Sequence, residues 1–189
     1  MTQKRPRTIE IDDAGTGDLI GDAFIGFHII ETGKIFFRSV PVGLYNEENL
    51  QKNAPKKRIL QIIKEGLESL EYQTEDRIFL CTGDCFDLVR VYFDQQDIDY
   101  IDSKIEGKLQ EAVEGRLVSH LKKLGVHSRK LSKKSGAKRY FILWNWLCQD
   151  FYNRERFVKS GYKSWKMKRR QMAIERYEGM LRKKKVHIK

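Results

Sequence analysis

The stretch "RTIEIDDAGTGDLIG", residues 7–21, decides how the chain is read. Ile9 and Ile11 alternate with polar neighbours, the period of a strand with one face in a core. The alternation stops at Asp12 and Asp13, and Gly15, Gly17 and Gly21 then punctuate a turn. Adjacent carboxylates repel one another and lose hydration if buried. A strand that ends on two of them is either a solvated turn or one half of a metal site.

The flanking sequence says which fold surrounds this strand. "GDAFIGFHII" (21–30) predicts a second strand, "ETGK" a turn, and "KIFFRSVPVGLY" (34–45) a third, giving an antiparallel meander. Residues 46–72 carry Ile59, Ile62, Ile63, Leu67 and Leu70 at helical spacing, with Pro55 near the start where a missing N–H costs least. "DRIFLCTGD" (76–84) is a near-continuous apolar run, the pattern of a parallel strand buried on both faces. A short helix (85–96), a short strand (97–102) and an amphipathic helix ending at Gly125 follow. The expectation is an α/β fold, a mixed sheet of three antiparallel strands followed by parallel ones, flanked by helices, over residues 1–125. If the first and fourth strands are parallel neighbours, Asp12, Asp13 and Asp84 emerge at one sheet end, and Asp102, ending the fifth strand, joins them.

Charge is unevenly placed. Residues 1–119 hold 15 Lys and Arg against 22 Asp and Glu, whereas residues 120–189 hold 22 against 4, within a total of +11. An acidic front and a basic back suit two tasks, holding cations and holding a polyanion. Residues 126–189 read as a basic helical C-terminal extension, entered through the loop "VHSRKLSKKSGAKR". With aromatics interleaved among its cations, nucleic acid is the expected partner rather than a membrane. Arg129, Lys130, Lys133, Lys134, Lys138 and Arg139 would hold phosphates. Trp165, between Lys163 and Lys166, would stack on a base, whereas Trp144 and Trp146 read as core.

No apolar run approaches the ~20 residues that span a bilayer. The charged start lacks the apolar stretch of a signal peptide, and three sparse cysteines fit reduced thiols, so a cytoplasmic location is expected. Cys81 and Cys85 have no second Cys or His pair nearby for zinc. The glycine turn lacks the Lys-Ser/Thr of a phosphate-binding P-loop. The four histidines are scattered; His120 reads as an interface residue or a proton shuttle.

Clustered carboxylates call for a cation, and Mg²⁺ or Mn²⁺ prefers such oxygen donors. Here the chain resembles ribonuclease H type 2, whose signature runs Asp-Glu-Ala-Gly-Arg-Gly and then, a few residues on, a glycine and an apolar strand. Asp12, Ala14, Gly15, Gly17 and Gly21 match in place; Asp13 stands where the family has glutamate and Thr16 where it has arginine. The family's third acid follows a hydrophobic strand, as Asp84 follows "RIFLCTG". Its fourth opens a lysine-containing stretch before a helix, as Asp102 does. The resemblance spans residues 7–120. It implies a ribonuclease H-like nuclease that cuts the RNA strand of an RNA–DNA hybrid, with Asp12, Asp13, Asp84 and Asp102 as metal ligands and Gly15, Thr16 and Gly17 against the nucleic-acid backbone. The departures at 13 and 16 leave open a junction resolvase of the same fold acting on structured DNA, or a binding module without catalysis.

Overall fold

The computed structural model describes residues 5–131 and 137–186, with side chains in the second segment given for 139–183. Five strands form one sheet in the order β3-β2-β1-β4-β5. They are β1 (Thr8–Ala14), β2 (Ala23–Ile29), β3 (Lys34–Val40), β4 (Arg77–Cys81) and β5 (Tyr100–Ser103). The first three pair antiparallel, and β4 and β5 add on parallel to β1. The α/β mixed sheet expected from the sequence is therefore what the chain forms, with β1 and β4 as parallel neighbours.

The helices are α1 (Glu47–Gln51), α2 (Ala54–Ser69), α3 (Asp87–Gln95), α4 (Lys108–Lys123), α5 (Ala137–Gln149), α6 (Phe151–Arg154) and α7 (Arg170–Val186). Local chemistry sets several boundaries that periodicity missed. The third strand stops at Val40 because Pro41 has no N–H for the ladder, and a 3-10 turn, Val42–Tyr45, takes over. The helix expected over 46–72 is split at Asn53, whose φ of 53° lies in the left-handed region. The apolar helical stretch after the basic loop breaks at Asp150, where the backbone leaves helical geometry before α6.

Two apolar layers sandwich the sheet. Ile9, Ile11, Ile25 and Phe27 pack with α2 and α3 on one face. Ala14 and Phe24 pack with α4 on the other, in a cluster that continues through Leu143, Leu147, Phe151 and Trp165. The strand buried at every residue is β2; β4 alternates, with only Ile78 and Leu80 buried. This departs from the doubly buried fourth strand expected, because α4 lies across β1, β2 and β3 and leaves the β4–β5 side of that face uncovered. No described helix is long and apolar enough to cross a membrane.

One close approach gives a direct stability test. Gly66 of α2 sits against the ring of Phe27, which is fully buried and stacked on Phe36 with centroids 4.7 Å apart. A Cβ at position 66 would occupy ring space, and the ring has no free volume to retreat into. Gly66→Ala should therefore destabilise by about 1–3 kcal/mol, despite alanine's better helix propensity. Urea unfolding reads the change, and an unaltered midpoint would contradict the packing described.

Candidate metal centre

The site grows from the register of β1 and β4. Ile11 pairs with Leu80, so the next residues along, Asp12 and Cys81, lie side by side at the carboxyl ends of two parallel strands. Ligand atoms of Asp12, Asp13 and Cys81 all fall within 4.8 Å of one another. Strand alternation sends the two carboxylates to opposite sides. Asp12 shares the α4 side with Ala14, and Asp13 shares the α2–α3 side with Ile11.

Asp12 is 6% exposed, and this burial raises its pKa to about 6. A hydrogen bond from the Cys81 thiol and one from the Asp13 backbone N–H oppose the shift, while the charges of Asp13 and Glu114 add to it. Burial, then the bond to Asp12, pushes the Cys81 thiol up to about 12. At neutral pH Cys81 is thus a protonated donor to Asp12, and the ligand set is one of hard carboxylate oxygens. On the other side, Thr16 Oγ1 donates to Asp13 Oδ2 at 2.6 Å, leaving Oδ1 on the side of Gly83. A buried and a half-buried carboxylate, adjacent and held by donors, suit the oxygen preference of Mg²⁺ or Mn²⁺.

The other expected acids are placed differently. Asp84 is exposed at the start of a 3-10 turn, Asp84–Phe86, on the rim of a neighbouring cavity and outside the three-residue group. Asp102 does not join the cluster. It pairs with Leu80 across β4–β5, and Arg90 Nε holds its carboxylate at 2.8 Å while Arg90 also donates to the carbonyls of Cys81 and Gly83. The acid that approaches from the helical side is Glu114 of α4, whose charge acts on Asp12. The sequence alone did not single it out. Its position one residue after Val113 and three before Leu117, at the edge of the buried stripe, was the available signal.

The glycine turn is held from beneath by the C-terminal segment. Gly15 has φ of +84°, and a Cβ there would come within 2.8 Å of Leu117. Its carbonyl accepts from the Nζ of Lys159, which is fully buried. Burial lowers the Lys159 pKa to about 8 against the opposing pull of Asp18, Asp22 and Asp13. Lys159 N–H donates to Leu19, Gly21 N–H to Phe157, and the Tyr162 hydroxyl to the Thr16 carbonyl at 2.8 Å. His120 helps to hold the turn. Its Nε2 accepts the Asp22 N–H at 3.0 Å, and burial lowers the ring's pKa.

The expected nucleic-acid contacts divide. Gly17, Arg129, Lys130 and Lys163 are exposed, Thr16 is half-buried, Gly15 is buried, and Lys166 pairs with Glu47. Lys133 and Lys134 lie outside the described residues, as does the Lys138 side chain. Two assignments are corrected. Trp165 is 2% exposed and packs on Phe151, so it has no free face for a base. Arg139 is 5% exposed and spent on Asp18 at 2.8 Å and Glu114 at 2.5 Å, so it cannot also grip phosphate. The exposed aromatic beside the turn is instead Phe141, 63% accessible. It shares a cavity of about 640 Å³ with Asp13, Glu114 and Tyr140, and Arg169 covers the Tyr140 ring. A scan against protein-family models and a search of the curated proteins find no match to this chain, which leaves the site itself as the ground for assigning a function.

Proposed function

We propose that the chain is a metal-dependent nuclease of the ribonuclease H-like type, acting on the RNA strand of an RNA–DNA hybrid. The observation that carries this reading is the meeting of Asp12 and Asp13 with Cys81 at the ends of parallel strands, faced by Glu114 and bordered by the glycine turn. The mixed sheet, three antiparallel strands and then parallel ones, supports it as well. Asp12 and Asp13 would hold Mg²⁺ or Mn²⁺, with Glu114 and Asp84 as flanking acids. Bound there, such an ion polarises a phosphoryl oxygen and lowers the pKa of a coordinated water. Cys81 and Thr16 orient the two carboxylates. Gly17 leaves the turn low enough for a backbone to pass, and Phe141, Lys163 and Arg169 border that path.

The test is a panel of labelled RNA–DNA hybrid, single-stranded RNA, duplex DNA and a four-way junction, each with Mg²⁺, Mn²⁺ or EDTA. Cutting of the hybrid that EDTA stops is the expected result, and cutting of the junction alone would move the reading to a resolvase. Tight binding without cutting of any substrate would make the chain a recognition module. Affinity should fall steeply with salt, as phosphate-bound Lys and Arg release counterions. Salt-insensitive binding would contradict the basic surface as a polyanion grip.

A further inference from the structure

A second cavity, of about 430 Å³, opens beside the glycine turn and adjoins the metal centre through Thr16 and Asp84. Thr16, Asp84 and Cys85 stand at its mouth, and Thr16 is the residue that fixes Asp13. Its walls are apolar: Leu50 of α1, Pro55 and Ile59 of α2, and the rings of Tyr45 and Tyr162 with centroids 6.2 Å apart. The C-terminal segment completes it, since Gly161 N–H donates to the Tyr45 carbonyl at 2.8 Å and Tyr162 reaches Thr16.

Two polar groups in this lining are open to a ligand, one buried and one exposed. Tyr45 is 2% exposed, yet its hydroxyl has no hydrogen-bond partner among the described residues. Burial pushes this phenol far above its ordinary range, so it keeps a proton to donate. Asn53 holds a left-handed backbone at the start of α2, but its side chain makes no capping bond there. An orphaned buried hydroxyl is a cost that a bound ligand with an acceptor atom would relieve. An aromatic-walled slot with one buried donor and one carboxamide matches a nucleobase, flat and apolar on its faces and polar at its edge.

We propose that this cavity receives one base of the substrate, turned out of its stack beside the phosphodiester held at the carboxylates. The proposal rests on the nuclease reading above, and it defines the substrate class as strands in which a base can leave the stack. A mismatch, bulge or branch next to the cut should speed cleavage by about tenfold or more, because an unpaired base leaves the stack at least cost. Tyr45 and Asn53 then act as specificity-determining groups at the base edge.

The experiment places 2-aminopurine, which brightens on leaving a stack, at successive positions of a hybrid and binds the full chain in EDTA so that nothing is cut. A several-fold rise at one position is expected, lost in Leu50→Trp, which fills the slot, and reduced in Tyr45→Phe at saturating protein. Tyr45→Phe should melt at or above the wild type, since it removes only an unsatisfied hydroxyl, and so separates recognition from folding. No rise at any position, or a rise that Leu50→Trp leaves intact, overturns the proposal. A rise lost in Leu50→Trp, from a protein that cuts nothing in Mg²⁺ or Mn²⁺, keeps the base pocket and overturns the nuclease reading. Cutting without any rise does the reverse.

Discussion

Asp12→Asn is expected to abolish metal-dependent cleavage, by about 10³-fold or more, while making the metal-free protein more stable. The loss follows from removing a charged oxygen ligand, since ion-based stabilisation of a phosphoryl transition state is worth several kcal/mol and each 1.4 kcal/mol is tenfold. The stability gain follows from burial. Asp12 is 6% exposed and its pKa is raised to about 6 from an ordinary 3.8. Keeping it ionised in the folded state at pH 7 therefore costs on the order of 3 kcal/mol, which asparagine does not incur.

The pH dependence has a definite sign. Between about pH 4 and 6 the native state holds a proton on Asp12 that the unfolded chain has given up, so metal-free stability falls as pH rises through this window and levels off above it. A divalent ion offsets the same penalty. Mn²⁺ should raise the melting temperature of the wild type more at pH 7.5 than at pH 5, and that of Asp12→Asn little at either. Single-turnover cleavage and melts with and without Mn²⁺ check both halves. Wild-type cutting by Asp12→Asn, or an equal Mn²⁺ shift in both proteins, would remove Asp12 from the centre.

What the sequence disclosed about this site was local. Alternation ending at Asp12 and Asp13, with glycines behind, is a short-range pattern, and it placed the strand end to within one residue, at Ala14. The parallel partner was legible as an apolar run, but its exact register, which sets Cys81 against Asp12, depends on pairing between segments far apart in the chain. Asp102 lies one residue before the end of β5, close to where it was expected, yet nothing near it in sequence disclosed that Arg90 would claim it. Trp165 misled for a similar reason. Its neighbours Lys163 and Lys166 suggested a solvated platform, whereas its burial is decided by Phe151 and the cluster around it. Phe141, inside an apolar stretch, is exposed. Long-range burial, not composition, separates the two.

Arg139 shows the same reversal with the largest expected effect on stability. It belongs to a basic stretch and read as a phosphate grip, but it is a buried cation between two acids from other elements. Asp18 is 7% exposed and Glu114 partly so, and the guanidinium reaches both. Arg139→Leu leaves those carboxylates without their cation, and removing one partner of a buried pair typically costs about 3–5 kcal/mol. At roughly 2–4 °C per kcal/mol for a chain of this size, the melting temperature should fall by about 10 °C. Arg139→Lys should recover only part of this, because an ammonium lacks the fork that serves two carboxylates. Exposed Arg129→Ala and Lys130→Ala, by contrast, should change stability by no more than about 0.5 kcal/mol. If stranded charge is the cause, neutralising both acids, in Arg139→Leu with Asp18→Asn and Glu114→Gln, should restore much of the loss. If lost packing is the cause, it should not. Mn²⁺ distinguishes the two as well: Glu114 lies within the field of Asp12, so an ion held there substitutes for part of the missing positive charge. Mn²⁺ should therefore rescue Arg139→Leu by more than it raises the wild type.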